Sequence, residues 1–405
     1  MKNWLLRQLR PRIDFLIYEF PYAGKSIVLF KIDATTNTPV EFRGEAYIRV
    51  GSYKKKLSDF EEKERKIWKK QTGYDWSAQI CQDASIVDLA PDGIVKAKNE
   101  FIQKNPKFSE DLSNWDDVTF LNKAKVTVGG QITNTAVLLL GKPESERYLL
   151  PSLGQITWVL KDEKGIEKDF EHLQLPLLLN VDYVLNRIRN LQYRHLPDGT
   201  LFPIKISQYD PWVIREALHN CIAHQDYELC GRISVVEKPD ELIFSNLGSF
   251  LPHTVEAVIT QDAPPAIYRN RFLAQAMLNL NMIDTIGSGI KKMFLTQKER
   301  FFPLPDYDLT EPERVTVRIQ GRILDQNFTR ILINNVDLEL FTVILLDKVQ
   351  KRLQVSKEEH GFLKSKGLVE GRYPNLFVAS KIASVAGEKA KYITYRGFDK
   401  KYGNW

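Results

Sequence analysis

A helix that opens at Asp210-Pro211 and carries Glu216, Asn220 and His224 constrains this chain more than any other stretch. Asp caps free N–H groups at a helix start, and Pro fits the first helical position. Residues four apart share a helical face, so a carboxylate, an amide and an imidazole fall on one line. Val213, Ala217, Leu218, Cys221 and Ile222 supply an apolar base on the other side. Such a helix suits the floor of a pocket. It equally suits a solvated face with a Glu–Asn hydrogen bond, and spacing leaves both open. An amide oxygen such as that of Asn220 can ligate Mg²⁺, and a carboxylate such as that of Glu216 can deprotonate an attacking water.

Three further elements follow. A hairpin with its turn at Lys238-Pro239-Asp240 ends in Ser245-Asn246-Leu247-Gly248, where a short polar side chain before a glycine can meet a ligand edge or simply make a turn. Arg269-Asn270 offers a cation and an amide. Ile283-Asp284 leads into Gly287-Ser288-Gly289 and a new helix, whose free N–H groups favour an anion. A helix cap explains the same glycines.

The rest of the chain bounds the setting. Its 405 residues suffice for roughly two to four domains. The net charge of +6 allows an acidic partner without demanding one. Cys81, Cys221 and Cys230 share no CxxC spacing, which argues against a zinc site or disulfide framework and for a reducing, cytoplasmic setting. No eighteen-residue apolar run exists, so no membrane partner is expected. Met1–Arg10 is too short in apolar run for a signal peptide and reads as an amphipathic helix.

The pattern divides into four regions. Residues 1–70 carry strands at 26–32 and 45–50 and a charged helix from Asp59 to Lys70. Residues 71–205 read as a helical, mixed connector, with helices at 94–104, 115–124 and 135–140 and a strand at 156–160. Residues 206–325 hold the paired motifs. Residues 330–405 open with a helix whose expected buried face is Leu338, Phe341, Leu345 and Val349. A capping box at Ser356-Lys-Glu-Glu359 then starts a short helix, followed by a second one over 362–369 and a turn at Gly371–Asn375. The fold class expected is α+β, multidomain.

The order Glu-Ala-x-x-Asn-x-x-x-His-x-Asp-Tyr, Asn-x-Gly, Arg-Asn and Ile-Asp-x-x-Gly-Ser-Gly-Ile resembles the RecG-C-terminal-like ATP-binding domain of the GHKL superfamily. The resemblance covers 206–320 and implies an α/β sandwich that binds ATP and Mg²⁺. By motif position, Glu216 would be the general base and Asn220 the Mg²⁺ ligand. His224, Asp226, Asn246, Gly248, Arg269, Asn270, Gly287, Ser288 and Gly289 would surround the nucleotide. Asn246 stands where many members carry an adenine-binding Asp.

Pro39-Val40 followed by Tyr47-Ile-Arg-Val-Gly-Ser52 resembles the second half of a Schlafen AlbA-type domain, a family linked to nucleic acids. The first half's Glu-x-Lys strand and Asn-x-Gly-Gly turn are missing, so the resemblance implies a partial, N-terminally truncated unit without nuclease carboxylates. Arg49, Lys54 and Lys55 are its candidate phosphate contacts. The last region is similar to a winged helix, with Lys357, Lys364, Lys366 and Arg372 available to DNA or RNA. Winged helices also bind proteins, and a homodimer stays open. Two function classes remain. One is an ATP-binding transcriptional regulator; the other is an ATP-independent DNA-binding or scaffold protein with a degenerate pocket. With no Walker A motif, helicase activity is not expected, while weak ATP hydrolysis stays open.

Overall fold

A computed structural model gives the fold for residues 2–10, 13, 15–22, 24–32, 39–64, 74–195, 204–252, 254–260, 268–283 and 288–380. The chain forms two compact units, Met1–Asp75 and Trp76–Trp405. Among the described residues no helix is long and apolar enough to cross a membrane.

In the first unit, α1 (Lys2–Gln8) leads into β1 (Leu9–Arg10). Strands β2 (Phe15–Tyr22) and β3 (Lys25–Ile32) pair as a separate antiparallel hairpin. Its two-residue loop demands left-handed backbone, and Gly24 supplies it at φ +73°. Strands β4 (Glu41–Phe42), β5 (Glu45–Val50) and β6 (Tyr53–Lys56) form an antiparallel sheet in the order β1-β4-β5-β6. Phe15, Pro39 and Leu57 are the buried residues of this unit among those described. Of the expected charged helix, residues 61–64 are helical and 65–73 lie outside the described residues.

The second unit opens with α2 (Pro91–Lys104), α3 (Ser109–Leu112) and α4 (Asp117–Lys123). A small hairpin, β7 (Thr127–Val128) and β8 (Gln131–Ile132), precedes α5 (Asn134–Leu140). Thr133 caps α5 by accepting from the Ala136 N–H, and every α5 residue is buried. Then come β9 (Ile156–Lys161), β10 (Glu167–Leu173), α6 (Leu177–Arg187), β11 (Gln192–His195), β12 (Ile204–Ser207) and α7 (Pro211–His224). After them lie β13 (Ile233–Glu237), β14 (Glu241–Leu247), α8 (Val255–Thr260), α9 (Arg271–Asn279), α10 (Gly289–Glu299), β15 (Asp306–Asp308) and β16 (Arg314–Gln320).

Six strands make one sheet, in the order β10-β9-β13-β14-β16-β15. The β9–β13 pair is parallel and its other neighbours are antiparallel. Trp158, Val235, Phe244 and Val317 stand opposite one another across four strands and are all buried. The alternation of each strand puts these residues on the face that the helices cover.

This sheet corrects the expected boundary at residue 205. Strands β9 and β10 come from the supposed connector, yet they complete the sheet of the paired motifs. One apolar cluster runs from Trp76 to Ile319. The reason is the parallel β9–β13 pair, which needs a long crossover and so draws distant sequence into one layer.

The chain continues through α11 (Gln326–Asn334), α12 (Leu340–Gln350), α13 (Lys357–Ser365) and the hairpin β17 (Val369–Arg372) and β18 (Asn375–Val378). These elements surround a second apolar cluster, with Phe328, Leu345 and Leu363 inside it. Ile290 and Tyr307 pack against both clusters.

Three expectations need correction here. Helix α11, capped by Asp325, was not foreseen. The capping box at Ser356 and Glu359 forms, but it starts a single helix ending at Ser365, where two had been expected. Of the expected face, Leu345 and Val349 are buried but Phe341 is exposed; Thr342, Val343 and Leu346 of α12 are buried as well.

Candidate functional site

Helix α7 begins as its sequence predicts. The Asp210 side chain accepts from the Trp212 and Val213 N–H groups, and Pro211 occupies the first turn. The four-residue spacing then lets Asn220 Nδ2 donate to Glu216 Oε1 at 3.1 Å. Glu216 is 5% exposed, so this is no solvated helix face. Its carboxylate lies against Gly289, the first residue of α10. A Cβ on Gly289 would stand 1.6 Å from Glu216 Oε1. Glycine is therefore required there by close approach. The carboxylate rests at the positive end of a helix, a position that favours anions.

Tyr307 also faces this carboxylate. Burial, and then the charge of Glu216, hold the Tyr307 phenol well above its usual range. No local signal in the sequence marks Tyr307, because it reaches Glu216 from β15.

The far end of α7 carries a second group. The His224 ring stacks on Tyr268 with centroids 5.0 Å apart. Burial, then the nearby Arg269 cation, push His224 down to about 4 from 6.5. Arg269 pairs with Asp226 at 3.1 Å and donates to Ser249. Gly248 lies at φ +119°, and a Cβ there would meet Arg269 and Asp226 at 3.3 Å. Arg269 Nε is buried and has no hydrogen-bond partner.

The two amides read as nucleotide ligands have structural partners. Asn270 Nδ2 donates to the Ala223 and Gln225 carbonyls, at 3.1 and 2.8 Å, and so caps the end of α7. Asn246 is buried, with its Nδ2 bonded to the Leu247 carbonyl at 3.0 Å. It occupies the helix-covered side of β14, in line with Leu242 and Phe244. Gln225, which the sequence reading passed over, bonds both the Gly231 carbonyl and the Leu247 N–H and fixes the loop after α7. Ser288 is exposed at the start of α10, and Gly287 lies outside the described residues.

His224 gives this group a pH signature. Its folded value lies below its unfolded one, so the unfolded chain binds more protons between them. Stability from this ring is complete above pH 6.5 and falls as the pH drops toward 4. The loss is at most about 3 kcal/mol, reduced to about 1–2 kcal/mol because the ring keeps some solvent contact. Urea unfolding at pH 7 and pH 4.5 should show this loss in the wild type and not in His224→Gln.

The basic residues of the first unit meet on strands β5 and β6. Residues opposite one another in an antiparallel ladder share a face, so Tyr47, Lys56, Arg49 and Lys54 stand together. Lys55, opposite Ile48, belongs to the other face. Lys54 Nζ lies 4.0 Å from the Tyr47 ring centroid, and Lys56 pairs with Glu45 at 2.8 Å. The Arg49 side chain makes no ion pair among the described residues. In the second unit, Lys357 and Lys364 are exposed on α13, Lys366 just past its end, and Arg372 on β17.

Residues 1–58 match the family model described as Schlafen, AlbA_2. Residues 65–154 match a domain of unknown function, DUF8451. No curated protein matches the chain. Among solved structures, the DIP2311 protein from Corynebacterium diphtheriae is similar in fold, with a TM-score of 0.52 and 17% identity. The match covers 93% of this chain and 79% of that one. The architecture is thus α+β and multidomain, with an N-terminal segment similar to Schlafen, AlbA_2.

Among the described residues no group of three or more His, Cys, Asp or Glu could hold a metal by itself. Mg²⁺ does not need one, since it commonly takes one or two protein oxygens and completes its shell with phosphate and water. Glu216 and Asn220 offer oxygen donors of the kind that Mg²⁺ takes.

Proposed function

We propose that this chain is a nucleic-acid-binding regulator whose second unit takes an Mg²⁺–ATP ligand. The observation that carries the nucleic-acid half is the grouping of Arg49, Lys54 and Lys56 with Tyr47 on one face, inside the segment that matches Schlafen, AlbA_2. Cations neutralise phosphates and release counterions, and an aromatic ring beside them offers a base a stacking surface. The helices α11–α13 followed by the β17–β18 hairpin have the order of a winged helix, which would add a second contact through Lys357, Lys364, Lys366 and Arg372.

Arg49→Ala/Lys54→Ala is expected to weaken duplex DNA binding roughly tenfold and to lower the slope of log affinity against log salt by about two. Fluorescence anisotropy across a salt series reads both. An unchanged slope would remove this face from the binding site.

The nucleotide half rests on the carboxylate of Glu216 held at the start of α10. Asn220 would present its amide oxygen to Mg²⁺, and Gly289 and the following N–H groups would meet phosphate. Bound Mg²⁺ supplies neutralisation of phosphate charge. Glu216 would orient a water, and Asn246 would meet the base. ATP binding to this pocket would bias the nucleic-acid affinity of the chain by favouring one of its conformations. The bonds of Asn246 and Asn270 to backbone carbonyls favour a competing reading, a degenerate pocket on an ATP-independent binder. Under it, duplex DNA binds equally well with and without Mg-ATP.

A further inference from the structure

We infer that one face of the β2–β3 hairpin is a stacking platform for single-stranded nucleic acid. This rests on the nucleic-acid reading above and names the strand form that the chain takes. The ladder places Tyr18 opposite Leu29, Phe20 opposite Ile27, Tyr22 opposite Lys25 and Leu16 opposite Lys31, so all of these share a face. Tyr18 is 46% exposed, Phe20 42% and Tyr22 66%. Solvent-facing rings in that number, side by side, are unusual for a surface without a partner.

The chemistry of the face selects the partner. Alternate residues on a strand stand about 6–7 Å apart, near twice the ~3.4 Å rise of stacked bases. A base can therefore lie on each ring in turn, as every base has an apolar face. Lys25 and Lys31 stand at the two ends of the platform. Glu19 belongs to the opposite face, where Ser26 donates to it at 2.6 Å. Among the described residues no acid shares the platform face. Tyr18, Phe20, Tyr22, Lys25 and Lys31 make no side-chain hydrogen bond, ion pair or ring contact among the described residues.

A second copy of the chain is disfavoured by the same charges. Two-fold packing of this face on itself would bring Lys25 of one copy toward Lys31 of the other. A polyanion uses both lysines and covers the rings.

The test is anisotropy of the full chain with a short labelled oligothymidine and, separately, a short duplex. Tyr18→Ala/Phe20→Ala should lower oligothymidine affinity at least about tenfold and leave duplex affinity unchanged. Tyr18→Trp/Phe20→Trp should keep the wild-type affinity, because a ring remains. Tyr22→Ala, at the most exposed ring, carries the same expectation with little risk to the fold. Unchanged oligothymidine binding in the alanine variants overturns the inference. So does a loss of self-association in sedimentation with no loss of oligothymidine binding, which would make the face a protein contact. If Arg49→Ala/Lys54→Ala weakens duplex binding while the hairpin variants change nothing, the inference falls and the proposed function stands. A wild-type chain that binds neither probe removes both.

Discussion

Replacing Lys351 with Met should cost the second unit about 3–5 kcal/mol. Lys351 is the centre of a buried polar cluster between α12 and the start of β15. Its ammonium donates to the Leu304 carbonyl at 2.7 Å, to Asp306 at 2.7 Å and to Asp347 at 2.5 Å. Those three bonds use all of its donors. Asp347 is 8% exposed, and its other oxygen accepts from the Leu304 N–H and from Gln350. Burial holds the Asp347 carboxyl above its usual range, and Lys351 opposes that rise. Methionine keeps most of the volume but leaves a carboxylate buried without its cation.

The sign of the pH effect follows. A carboxyl with a raised folded value binds its proton more tightly folded than unfolded. Its penalty is therefore full at neutral pH and shrinks as the pH falls through the folded value. The deficit of Lys351→Met should be largest near pH 7 and smaller near pH 5. Asp347→Asn/Lys351→Met should recover part of the loss, since the more deeply buried of the two carboxylates is then neutral and only the part-exposed Asp306 lacks its cation. Urea unfolding at the two pH values measures this. A loss below about 1 kcal/mol at pH 7 would show that the cluster is solvated in the folded state.

The second large effect is ligand-dependent. Mg-ATP at about a hundred times its dissociation constant should stabilise the wild type by about 2.7 kcal/mol, a rise of about 5 °C in melting temperature. Asn220→Ala should abolish the rise by removing the amide oxygen. Gly289→Ala should do the same by another route, because its methyl group needs the place that Glu216 Oε1 occupies. The thermal scan is read with and without Mg²⁺. No shift with millimolar Mg-ATP would discard the nucleotide half of the proposal and leave the basic face of β5 and β6 untouched.

Local chemistry was legible in the sequence where it acts over a few residues. Asp210-Pro211 starts α7, and the Ser356–Glu359 box starts α13. The Glu216–Asn220 bond follows from helical spacing alone. Strand β2 escaped notice because Phe15-Leu-Ile-Tyr-Glu-Phe-Pro-Tyr22 is apolar on both faces and contains Pro21. Strand β10 is nearly all exposed and polar, so it shows no alternation. Long-range partners stayed hidden for a different reason. That Asn270 turns toward the carbonyls of α7, or that Tyr307 faces Glu216, depends on which distant segments pack together. Neither residue's own neighbourhood encodes that.

The parallel pairing of β9 with β13 also sets the timing of assembly. Strand β14 lies between β13 and β16, and β16 ends at Gln320. A chain growing at ~5–20 residues per second therefore emerges for on the order of ten seconds after Ile233 before the last of these edges is covered. Contacts so distant in sequence slow folding, because a long loop must close before they form. During synthesis, apolar rows such as Trp158 and Val235 wait without Val317. The nascent chain is then a substrate for chaperones and for strand-to-strand aggregation.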